Sequence, residues 1–276
     1  NSMKQRVLAF FTFGVIALAL FFHDEIASFF DSVQIYAEGG HKEIFEINLT
    51  AEEIMNQKRG DLLKDSNHTY HKASLKLVPY VLLDAKYIDD REKSKEGRLL
   101  WGAFDGEIVV DTDTWQTTHG YRDALIAEAN SDEYALLYSL AKRNGQASKE
   151  QIRRDTKLEK ETLDRIVLNA SRKHLVVLFN EIIKMHMEDP IILLLPISRI
   201  KHSLVTHEVD FDSLIPKQFS LSKIQKAAKA CFGNGFTVRS IKEVFLPIWK
   251  IEVKKTDGSI AVSYWNAVNG SRFKYP

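Results

Sequence analysis

The sequence predicts an α+β fold. A central unit of helices and a strand pair, residues 130–190, is flanked by two similar helix-plus-antiparallel-sheet modules, 44–129 and 191–276, behind a hydrophobic N-terminal helix within 3–35. Three observations predict it. Residues 131–172 carry apolar positions at helical spacing between cap and stop signals, and a strand pair follows. A Pro-led strand, a Trp and an Asx-Gly turn recur at matching offsets on both sides of that stretch. An uncharged run, Val7 to Phe22, stands near the start.

The uncharged run follows Met3, Lys4 and Arg6 and precedes His23-Asp24-Glu25. Its 16 residues fall just short of the ~17–25 that span a bilayer, and these flanks would leave the N-terminus in the cytoplasm. Ile26-Ala27-Ser28-Phe29-Phe30 continues the apolar helical spacing, so a buried or oligomer-forming helix explains the run equally well. The expected location is cytoplasmic or membrane-associated.

The first module contains Pro79-Tyr80-Val81-Leu82-Leu83-Asp84-Ala85-Lys86, and the second Pro247-Ile248-Trp249-Lys250-Ile251-Glu252-Val253-Lys254. Trp101-Gly102-Ala103-Phe104-Asp105-Gly106 is then matched by Trp265-Asn266-Ala267-Val268-Asn269-Gly270. Proline suits the first residue of a strand, and the Asx-Gly pairs supply the positive φ of a tight turn. Upstream, Leu49-Thr50-Ala51-Glu52-Glu53-Ile54 resembles Leu221-Ser222-Lys223-Ile224 as a capped helix entry. Each copy reads as one helix on its own small antiparallel sheet. Trp101 and Trp265 are candidate interaction residues; the plainer alternative packs each under the helix of its own module. The run Ile191 to Leu195 reads as a strand leading into the second module.

In the central unit, Ser131 reads as the N-cap of a first helix with Leu136, Leu137, Leu140 and Ala141 on its apolar face and Gly145 after its end. Ser148-Lys149-Glu150-Gln151 is a capping box that opens a second helix. Leu163, Ile166, Val167 and Ala170 face inward on a third, and Val176–Phe179 and Ile182–His186 pair across Asn180-Glu181. This order and spacing over residues 131–188 resembles the winged helix-turn-helix family.

The resemblance implies binding to DNA or to protein. In DNA-binding members the third helix enters the major groove. Carried over, the base-facing residues are Lys160, Thr162, Arg165, Asn169 and Arg172, with Lys149, Arg153 and Arg154 toward phosphates. Glu159, Glu161 and Asp164 crowd the start of that helix, and the turn Asn180-Glu181 has no cation. The unit holds 11 Lys/Arg against 9 Asp/Glu, a small excess for neutralising several phosphates. Residues 1–130 hold 14 against 21 and residues 189–276 hold 13 against 7, so an acidic front and a basic back underlie the net charge of +1.

The sequence contains no Gly-rich phosphate loop, dinucleotide fingerprint or Gly-x-Ser-x-Gly elbow. Gly233-Asn234-Gly235 reads as a helix stop. The single cysteine, Cys231, excludes an internal disulfide and suits buried packing. Asp65, His68 and His71 look like loop residues rather than metal ligands, and His119 with Asp123 like a helix-entry loop rather than a general base and its orienter. Asn48-Leu49-Thr50 and Asn67-His68-Thr69 form glycosylation sequons. The expected function is a non-enzymatic adaptor or scaffold that binds protein, without cofactor, metal or catalytic residues. Membrane association through Val7–Phe22 and a homo-oligomer are further expectations. The alternative is a DNA-binding transcriptional regulator that uses the third helix.

Overall fold

The computed structural model describes residues 40–275 apart from Asp90 and Leu194. The N-terminal segment 3–35, with Val7–Phe22, lies outside them. The fold is mixed α+β, built on a large sheet whose middle is one long antiparallel ladder between β2 (Thr69–Ile88) and β10 (Thr237–Lys254). Val78 stands opposite Leu246 near its centre, with Pro79 opposite Phe245 and Pro247 opposite Leu77 on either side. The prolines therefore lie inside their strands, not at the starts.

Their position has a physical reason. β3 (Ser94–Gly102) pairs with β2 only as far as Tyr80–Gly102, and β11 (Ile260–Asn266) pairs with β10 only as far as Ile248–Asn266. Each proline sits one residue past the end of that hairpin ladder. A strand residue points its N–H and C=O to the same side, so the missing donor falls where no partner strand remains. The carbonyls are used: Pro79 accepts from the Ala103 N–H at 3.1 Å, and Pro247 from Ala267 at 3.0 Å.

The same bonds close both turns. Gly106 donates to Gly102 at 3.0 Å and Gly270 to Asn266 at 2.9 Å. Both glycines have positive φ, 79° and 71°. β4 (Ile108–Asp111) then pairs with β3, and β12 (Arg272–Phe273) with β11. β5 (Gln116–Thr117) forms one edge. Beside the ladder, β1 (His41–Phe45) pairs antiparallel with β9 (Leu204–Glu208), a pairing of sequence-distant strands that no local pattern announces.

The helix entries cross between the halves. Asn48 and Leu49, just before α1 (Ala51–Gln57), donate to the Ala267 carbonyl at 3.1 and 2.9 Å. Gln218 and Phe219, just before α7 (Leu221–Phe232), donate to the Ala103 carbonyl at 2.8 and 3.0 Å. α1 and the short α2 (Arg59–Leu62) bury Ile54 and Leu62 with Ile251, Val253 and Trp265. α7 buries Ile224 and Ala228 in a cluster with Val81, Leu83 and Trp101. The expectation that each helix covers its own strands is corrected for α1, which packs on strand residues of the other half, whereas α7 packs on β10 of its own half and on Val81, Leu83 and Trp101 of the first.

Between the halves come α3 (Tyr121–Ile126), α4 (Ser131–Ala141), α5 (Lys149–Thr156) and α6 (Lys160–Arg172). A separate three-stranded sheet holds β6 (Gln146–Ser148), β8 (Ile182–Met185) and β7 (Val176–Phe179) in that spatial order. The N-cap of α4 is Asn130, not Ser131, because only Asn130 has a Glu three residues on; the Asn130 Oδ1 accepts from the Glu133 N–H at 3.0 Å, and Glu133 returns the bond. The Ser148–Gln151 capping box is present. Ile191 forms only an isolated bridge with His119, and the described residues of 192–195 belong to no strand. α4 attaches this unit to the body by packing on α7, and the Tyr138 hydroxyl lies 2.6 Å from the Cys231 thiol there.

Candidate functional site at the α6 face and the β7–β8 hairpin

α6 turns Leu163, Ile166, Val167 and Ala170 into the core. Its outer side presents Glu161, Arg165, Leu168, Asn169 and Arg172 to solvent, with each of them exposed among the described residues. Three of the candidate base-facing residues, Arg165, Asn169 and Arg172, thus share one open face. Thr162 is half-buried and Lys160 exposed at the helix start. Leu168 stands among them at 51% exposure.

Two of the three cations expected to meet phosphates are already engaged. Lys149 Nζ bonds Asp164 at 2.7 Å, which holds the ammonium above its usual pKa and the carboxyl below its own. Arg153 pairs with Glu150 at 3.1 Å. Arg154 is exposed. Such exposed pairs are weak, but they reduce the positive field that a phosphate would meet.

The hairpin differs from what its sequence shows at first reading. Cross-strand partners share a face, so Val176, Leu178, Ile183 and Met185 point one way and Val177, Phe179, Ile182 and Lys184 the other. Val176, Ile183 and Met185 are buried, whereas Val177 is 56%, Phe179 73% and Ile182 48% exposed. An apolar surface on β7 and β8 is therefore open to water. Large apolar side chains grouped on a surface mark a place where something docks.

The remaining candidates are structural. Trp101 is fully buried, and its indole N–H donates to the Gly106 carbonyl at 2.7 Å. Trp265 is 4% exposed and donates to the Ser263 hydroxyl at 2.9 Å. Neither presents a face to a partner, so both are corrected from interaction residues to core residues. Burial pushes the Cys231 thiol up to about 12, which keeps it protonated beside Tyr121 and Tyr138. The His119 ring faces the Asp189 carbonyl at 3.4 Å. His71 lies on β2, and Asp65 accepts from the Asn67 N–H in the turn before it; among the described residues, no group of three or more His, Cys, Asp or Glu is placed to hold a metal ion.

A cavity of about 380 Å³ lies between α3, the start of α4 and α7. Its charged lining is largely paired: Lys173 binds Glu133 at 2.7 Å and the Glu128 carbonyl at 3.1 Å, while Lys223 and Lys226 approach the Glu128 carboxylate at 3.8 and 3.9 Å. Among the described residues, no helix is long and apolar enough to cross a membrane. Compared with protein-family models, curated proteins and solved structures, the chain matches none.

Proposed function

We propose that the protein is a non-enzymatic scaffold that binds protein through a winged helix, residues 130–190, held between two copies of an internally repeated αβ module. The repeat is supported by the bonds that recur in both halves: Ala103 with Pro79 and Ala267 with Pro247, and Phe219 on Ala103 and Leu49 on Ala267. The winged helix is supported by the element order α4-β6-α5-α6-β7-β8 and the sheet order β6-β8-β7. In this reading β7 and β8 are the wing.

The observation that carries protein binding over nucleic-acid binding is the exposed apolar wing of Val177, Phe179 and Ile182. A duplex offers phosphates and base edges, and apolar side chains at 48–73% exposure gain little from them. The second reading, a DNA-binding regulator, draws on the shared open face of Arg165, Asn169 and Arg172. A gel-shift titration on duplex DNA from low to physiological salt separates the two. The scaffold reading expects weak binding, indifferent to sequence and unchanged by Arg165→Ala with Arg172→Ala. Tight sequence-selective binding abolished by those substitutions would overturn it.

A further inference from the structure

We infer that the wing's partner is a second copy of this chain, joined edge to edge through β7 in antiparallel pairing. The inference rests on the protein-binding reading above.

β7 is the outer strand of its sheet, and one side of its backbone has no pairing strand among the described residues. The turn Asn180-Glu181 is a two-residue hairpin loop flanked by the paired Phe179 and Ile182. The flanking residues of such a loop exchange both backbone bonds, so Val177 and Phe179 direct theirs at β8. Val176 and Leu178 then direct their N–H and C=O groups outward. An open strand edge of this kind is a template for another strand, and soluble proteins usually blunt it with charge, proline or shortness. The other edges are blunted in that way: β5 and β12 have two residues each, β6 has three, and β9 carries His207 and Glu208. β7 reads Val-Val-Leu-Phe without a charge.

The edge complements itself. With a two-fold axis through Val177, Val176 of one copy meets Leu178 of the other, and four outward backbone bonds form. The two Val177 side chains then touch across the axis, with Phe179 of each copy at the diagonal position, within aromatic reach. The charges select this direction. Antiparallel pairing places the two Glu181 tips at opposite ends of the seam, whereas parallel pairing stacks them. Four residues bury far less than the ~1,600 Å² of a standard interface, so the dimer is weak and concentration-dependent.

The test uses the full chain. At the axis the two residues 177 form a non-hydrogen-bonded pair with Cα atoms ~4.5 Å apart, within disulfide range. Val177→Cys treated with oxidised glutathione is expected to give a covalent dimer. Leu168→Cys, similarly exposed on α6, and the unmodified chain, whose Cys231 is buried, should stay uncoupled. In sedimentation velocity the unmodified chain should dimerise reversibly, and Leu178→Pro, which removes an outward donor but no β7–β8 bond, should weaken the dimer at least tenfold. If Leu178→Pro fails to fold by circular dichroism, Phe179→Glu serves in its place. Equal coupling of the two cysteine variants with a monomer at every concentration would overturn the inference. So would a dimer that survives Leu178→Pro and disappears on removing residues 1–39. A monomer without selective DNA binding sinks the dimer alone, while DNA binding lost with Arg165 and Arg172 sinks the reading beneath it.

Discussion

Helix α1 buries one residue, Ile54, while α7 buries four, Ile224, Ala227, Ala228 and Cys231. Both begin at a hydroxyl cap, Thr50 or Ser220, immediately after a segment bonded to the opposite turn. They differ on the side turned away from the sheet. α7 carries small residues there, and α4 closes over it through Tyr138 and Cys231. The later part of α1 is Asn56-Gln57, and that side meets solvent. One arrangement thus serves as a covered core in one half and a surface in the other. The difference lies in a few side chains of the helix, not in the route of the backbone.

Substitutions in matched positions should expose this asymmetry. The largest effect is expected at the tryptophans. Trp101→Ala empties a site in the large cluster and removes the bond to Gly106, so we expect a loss of ~3–5 kcal/mol in urea unfolding. Trp265→Ala, in a small cluster partly covered by α1, should cost clearly less. Equal losses would mean that α4 adds nothing to the half it covers.

Next comes Asp105, the counterpart of Asn269 in the other turn. Burial raises its carboxyl to about 6 from an ordinary 3.8, against the opposing bond from the Glu107 N–H. Because the folded value exceeds the unfolded one, this contribution is fully present below pH ~4 and is lost as pH rises through 6. Asp105→Asn keeps the acceptor, as Asn269 does for the Ser271 N–H, and removes the charge. Thermal melts should show stabilisation on the order of 2–3 kcal/mol at pH 8 that vanishes near pH 4. Asn269→Asp should produce the reverse trend if the two turns are alike in burial.

The turn glycines follow. A methyl group at Gly106 would stand 2.9 Å from Phe219 and at Gly270 2.8 Å from Leu49, and both positions have positive φ. Each alanine substitution should cost ~1–2 kcal/mol, similar in the two halves because each entry segment must shift by the same mechanism. The smallest effects belong to the caps. Thr50→Ala removes a capping box and Ser220→Ala one cap bond, from the Lys223 N–H, each worth ~1 kcal/mol by melting temperature, Thr50 the more of the two.

Local chemistry made part of this legible in the sequence. Asx-Gly marked the turns at Gly106 and Gly270, and Ser148 with Gln151 marked the start of α5. Asn130 with Glu133 carries the same capping signal for α4, but the adjacent Ser131 is an equally good cap residue and masks it. What the sequence did not disclose depends on distant partners. Pro79 looks like a strand start because its missing N–H is harmless only where β3 stops. The β1–β9 pairing and the crossing of the helix entries have no local signature. At the candidate site, the outward set Arg165, Asn169 and Arg172 followed from helical period. The open face of β7 and β8 did not, because Val176-Val177-Leu178-Phe179 is apolar on both faces and lacks the alternation that separates inside from outside.

The crossing of the entries has a consequence for how the chain is made. Asn48 donates its side-chain amide to a carbonyl 220 residues away, and its backbone N–H to the neighbouring Ala267. During synthesis the first half emerges with the landing place for its own helix still untranslated. Trp101 likewise waits for Phe219 and α7. Contacts of such separation slow folding and leave apolar strands uncovered meanwhile. A ribosome pausing between the halves would therefore hold the nascent chain in its most aggregation-prone form, and chaperone demand should peak there.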